Sequence, residues 1–133
     1  MQGSVLENIK HLEAQADQLI GLCEGMPVNE PSGTLDYIRT IVSALADNGR
    51  ALAYATKILR EEKATALAAV KAEEPRAGAT EIKVYVEGRC SYIMYVVDLL
   101  EETGNVLSKA LDGARTAISY AKTELNNISY MEG

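Results

Sequence analysis

Two segments of this 133-residue chain carry the same uninterrupted three-four apolar spacing, and each reads as the reverse of the other. Leu35, Ile38, Val42, Leu45, Gly49, Leu52, Thr56, Leu59, Lys63 and Ala66 form one seam. Val86, Cys90, Ile93, Val97, Leu100, Gly104, Leu107, Leu111, Ala114 and Ile118 form the other. If the chain folds back near Arg76, the seams meet layer by layer, because each facing pair of residue numbers sums to 152 or 153. A repeat sustained over this length predicts a long antiparallel helical hairpin. The register sets Leu45 against Leu107, Leu52 against Leu100, and Gly49 against Gly104, where two backbones can approach closely.

Flanking residues set the helix limits. Ser4 and Glu7 have the spacing of a capping box, in which each side chain satisfies an otherwise orphan backbone N–H. Val5, Ile9, Leu12, Ala16, Leu19 and Cys23 follow at helical spacing, so helix A is expected over 4–24. Two Pro and two Gly fall within 24–33 and predict a loop over 25–33. Thr34 is placed to cap helix B, with Asp36 in its first turn, and the helix is expected over 34–73. Pro75 and Gly78 break it, giving a turn at 74–79, and Thr80 with Glu81 opens helix C over 80–127. The expectation is one all-α domain over 1–133: a short N-terminal helix plus a long antiparallel helical hairpin.

Each long helix would span about 60 to 70 Å, against about 30 Å for helix A. Returning antiparallel to the start of helix B, helix A is expected to shield only 35–53 and the part of helix C beyond 100. The upper hairpin, 54–99, is left with a second apolar set and no third helix. That set is Ile58 on helix B and Ile82, Tyr85, Tyr92, Val96 and Leu99 on helix C, with Met94 and Tyr95 nearby. Two helices cannot bury two faces, and exposed apolar area of this extent marks a binding surface. Self-association is the expected resolution, giving an intermolecular helical bundle with Ile58, Ile82, Tyr95, Val96 and Leu99 at its interface.

Charge and composition narrow the partners. A net charge of −6 argues against DNA or RNA, whose binding rests on clustered Lys and Arg. No apolar run approaches the roughly 18 residues of a membrane span, and the opening MQGSVLENIK lacks a basic stretch followed by an apolar one. A cytoplasmic protein without a membrane partner is expected. Cys23 and Cys90 both fall on seam positions and read as small buried thiols.

Catalytic chemistry finds little to work with. His11 is the only histidine, and nothing in the spacing brings it to a cysteine. The Glu-x-x-His motif of di-metal helical bundles is absent. The doublets Glu61–Glu62, Glu73–Glu74 and Glu101–Glu102 invite comparison with helical nucleotide pyrophosphohydrolases. Those need further carboxylates one turn on, where Thr65, Ala77 and Asn105 stand instead. The doublets read as solvated helix faces. No catalytic residue, metal ligand or cofactor is assigned.

Two stripes remain. Arg50, Tyr54 and Lys57 sit at i, i+4 and i+7 on helix B, and Tyr85, Arg89 and Tyr92 repeat the spacing on helix C. With no Phe or Trp in the chain, its seven Tyr are the only large aromatics. Arg supplies fork-like donors for phosphate or carboxylate, and Tyr supplies a stacking plane with a hydroxyl. The same residues also anchor protein interfaces. Arg60, Lys63, Lys71, Arg76, Lys83 and Arg89 make the hairpin tip the most basic region, and Lys63 stands on the apolar seam opposite Cys90.

The expected function is therefore binding rather than catalysis: a homo-oligomeric helical protein, an accessory or inhibitor protein of a bacterium or phage, with itself and another protein as partners. In architecture, a short N-terminal helix plus a long hairpin resembles phage proteins that sequester cyclic-nucleotide immune signals. That resemblance supplies the alternative, a small anionic nucleotide-like ligand held at a Tyr/Arg-lined subunit interface, and transfers no residue.

Overall fold

The computed structural model describes residues 3–25 and 31–132, with side chains described through residue 128 and from residue 32 in the second stretch. These residues are almost entirely helical, and no strand occurs among them. Helix α1 runs over Gly3–Gly21 and tightens into a 3₁₀ turn over Leu22–Gly25. Helix α2 takes Pro31–Glu73, α3 takes Ala79–Arg89 and α4 takes Ser91–Glu132.

Several limits differ from expectation. Ser4 lies inside α1, which begins one residue earlier. The start of α2 is Pro31, whose fixed φ and missing N–H suit a first helical position, so Thr34 is a buried interior residue instead of a cap. Of the loop expected over 25–33, residues 26–30 lie outside the described residues. The stop at Glu73 precedes Pro75, whose ring disfavours helical dihedrals at Glu74. Helix C is two helices, divided at Cys90, where φ is −103° and ψ is 9°. The Cys90 N–H still donates to Val86 O, and Cys90 O still accepts from the Met94 N–H, each at 3.0 Å. The division is a local departure from helical dihedrals at a point where Gly88 and Ser91 weaken helix propensity.

The buried residues give the packing. One cluster joins Ile9, Leu12 and Ala16 of α1 to Ala51, Ala55 and Ile58 of α2 and to Ile93, Val96 and Leu100 of α4. The other joins Leu19 to Tyr37, Ile41 and Ala44 and to Leu107, Leu111 and Ala114. Low numbers on α2 thus meet high numbers on α4, so the two run antiparallel, with α1 parallel to α4 and laid along both. Burying the large side chains of α1 contributes about 1.5–3 kcal/mol each.

Over 34–58 the face of α2 turned inward is one residue round from the expected seam, whereas further up Ala66, a residue of that seam, is buried. Thr34, Tyr37, Ile41, Ala44, Asn48, Ala51, Ala55 and Ile58 are buried, whereas Leu35, Val42, Gly49 and Lys63 are exposed. The reason is α1. The inward strip of α2 must accommodate two neighbouring helices, and the small side chains of Ala44, Ala51 and Ala55 let both approach. The larger Ile38, Leu45 and Leu52 flank that strip, half-buried. On α4 the expected seam is inside, and Val96 and Thr103 beside it are also fully buried.

This coverage bears on the residues of the expected oligomer interface. Ile58 and Val96 are buried within the chain, in the same cluster as Ile9 and Leu12, because α1 reaches further up the long helices than 53. Leu99 and Ile82 are half-buried, and of the five only Tyr95 is exposed.

Candidate binding surface

The two Tyr/cation stripes are not brought together. Tyr54 of α2 accepts a hydrogen bond from Asn8 Nδ2 of α1 at 3.2 Å. From the other side, the Tyr92 hydroxyl of α4 donates to Glu13 Oε2 of α1. Each stripe hands its tyrosine to α1 from a different neighbour. The hydrogen bond to Glu13, followed by burial, pushes the Tyr92 hydroxyl up to about 12. Arg89 stays within its own stripe: its Nη1 donates to the Tyr85 hydroxyl at 3.0 Å, and its guanidinium lies 5.8 Å from that ring's centroid. Arg50 pairs with Asp47 at 3.0 Å and Lys57 with Glu61 at 3.9 Å, both on exposed helix surface, where such pairs contribute little.

The opposite side of the α2–α4 pair is more informative. Leu35 and Val42 are 48% and 47% exposed, and with half-buried Ile38, Leu45, Leu52 and Leu59 they form an apolar line along α2. Beside it, α2 and α4 bound a groove of about 460 Å³ lined by Leu45, Asn48, Leu52, Leu100, Gly104 and Ser108, among others. Asn48 stands at its edge. Its Nδ2 donates to Leu100 O at 3.0 Å, while Oδ1 is buried with no hydrogen-bond partner among the described residues. An unmet buried acceptor costs about 1–3 kcal/mol.

The expected Gly49–Gly104 layer is corrected here. Gly49 has open space around it, and the close approach is between Gly104 and Asn48: a Cβ at Gly104 would lie 3.0 Å from Asn48 Nδ2. The sequence does signal Asn48, since it holds the i+4 position after Ala44 on the inward strip, but a seam drawn through the larger side chains passes it by.

Remaining reactive groups are quiet. Cys23 and Cys90 are unpaired, and burial, before any charged neighbour, pushes both thiols up, which disfavours the reactive thiolate. Lys63 is exposed, and His11 lies on the exposed face of α1. No group of three or more His, Cys, Asp or Glu suited to a metal occurs among the described residues, and none of the described helices is long and apolar enough to cross a membrane. Comparison with protein-family models, curated proteins and solved structures gives no match.

Proposed function

We propose that this chain is a non-enzymatic helical binding protein that assembles as a homo-oligomer and acts on another protein, as an accessory or inhibitor protein of the cytoplasm, where its free thiols are stable. The observation that carries this reading is the apolar line from Leu35 to Leu59, in which Leu35 and Val42 are exposed and the rest half-buried. Aliphatic area left in water along one face of a long helix marks an interaction surface.

The ligand reading, a sequestered cyclic nucleotide, stands second because Tyr54 and Tyr92 are drawn to α1 and not to one another. Native mass spectrometry of the protein purified from its host tests the first reading by counting subunits and weighing any co-purifying protein or small molecule. More than one chain with a protein partner is expected. Calorimetric titration against linear and cyclic nucleotides should be silent, and a saturable heat signal abolished by Arg89→Ala would reverse the order.

A further inference from the structure

Helix α4 runs past the first turn of α2, the helix it packs against. Asn48 lies against Gly104, so stepping down α2 to its first residue, Pro31, brings α4 only to about residue 121. The turns over 122–132 have no described helix of this chain beside them. Their apolar spacing does not stop: Ala114, Ile118, Ala121, Leu125 and Ile128 continue the three-four repeat of the α4 seam. Ala114 is fully buried, Ile118 and Ala121 are half-buried, and Leu125 and Ile128 are 61% and 52% exposed. Among the described residues, the chain therefore shows an α4 seam with no α2 beside it and, at the same end, an α2 line of Leu35, Ile38 and Val42 with no helix over it.

We infer that the two complete each other between copies: the C-terminal turns of α4 from one chain lie along Leu35, Ile38 and Val42 of a second, and the second chain returns the contact through a two-fold axis. This rests on the homo-oligomeric reading and names its contact. The surface is continuous with the α2–α4 packing inside each chain, which is what an apolar repeat running past the end of its partner requires. A single chain cannot make the contact itself. Leu35 is level with residue 117 of its own α4, and Leu125 is about 12 Å further along a helix that leads away. A two-fold axis at the level of Pro31 sets the second copy's Leu125 beside Leu35 and its Ile128 beside Ile38.

The test uses the full chain in a Cys23→Ser background, Cys90 being fully buried. Leu35→Cys protein and isotopically labelled Leu125→Cys protein are mixed and treated with a short bis-maleimide, and intact masses are read. Mixed labelled–unlabelled pairs are expected to exceed either self-pair. In parallel, Leu125→Glu with Ile128→Glu, at positions exposed in the chain, should keep full helical ellipticity and sediment as one chain. An oligomer that gives only self-pairs, or that survives the glutamates, overturns the exchanged α4 turns and leaves homo-oligomerisation standing. A wild-type protein that sediments as one chain overturns both.

Discussion

The two sides of α2 are both apolar, yet one is closed and the other is not. On the closed side, small residues such as Ala44, Ala51 and Ala55 form the strip, α1 and α4 both reach it, and Tyr54 and Tyr92 hydrogen-bond to α1. On the other, larger residues such as Leu35 and Val42 keep about half their surface in water. Side-chain size is therefore a poor guide to which face of a long helix turns inward. On the face of α2 that both neighbours reach, Ala44, Ala51 and Ala55 stand among the larger Tyr37, Ile41 and Ile58.

The largest test of this contrast compares Leu12→Ala, on the closed side, with Leu35→Ala on the open one. Leu12 is buried between α2 and α4, so its truncation should cost about 2–5 kcal/mol in chemical denaturation. Leu35→Ala, measured where the protein is one chain, should stay within about 0.5 kcal/mol. Equal losses would mean that the open line is packed after all.

Glycines sharpen the comparison. Gly104→Ala pushes a Cβ against the Asn48 amide, which is tied to Leu100 O, so an overpacking cost of about 1–3 kcal/mol should outweigh the helix-propensity gain of about 0.5–1 kcal/mol and leave a net destabilisation. Gly49→Ala meets open space in the same stretch of packing and should stabilise by about 0.5–1 kcal/mol through helix propensity. A shared sign for the two would remove the asymmetry between Asn48 and Gly49.

The pins to α1 give smaller effects. Tyr92→Phe removes the donor to Glu13 and should cost about 1 kcal/mol near neutral pH. Because the folded hydroxyl is pushed up to about 12 from an ordinary 10.0, the neutral form is the one the fold favours. Its stabilisation is complete below pH about 10 and is lost as pH rises toward 12, so the gap between wild type and Tyr92→Phe in thermal melts should close over that window. Tyr54→Phe, whose bond to Asn8 is longer and exposed, should cost about 0.5 kcal/mol and show no such closure.

Much of the helical content was legible in the sequence because its signals are local: the three-four apolar repeats, Pro75 with Gly78, and the absence of strand patterning. Rotation of α2 about its axis was not, because 41 and 42, and likewise 44 and 45, are all apolar, and only the position of α1 decides between them. The division at Cys90 was hidden by an apolar repeat that runs straight through it. The candidate site was legible only in part. Tyr54 and Tyr92 stand out as aromatics at helical spacing from a cation, but their partners Asn8 and Glu13 lie 46 and 79 residues away along the chain, a separation no local pattern reports.

The central claim is that the open line of α2 joins copies of this chain, and sedimentation equilibrium of the full-length protein at micromolar concentration tests it most directly. Wild type should show at least twice the single-chain mass, and Leu35→Glu with Val42→Glu, folded by circular dichroism, should fall to the mass of one chain, because charge cannot be buried unpaired. A wild type that is well folded and monomeric, or a glutamate variant that keeps the wild-type mass, would contradict it.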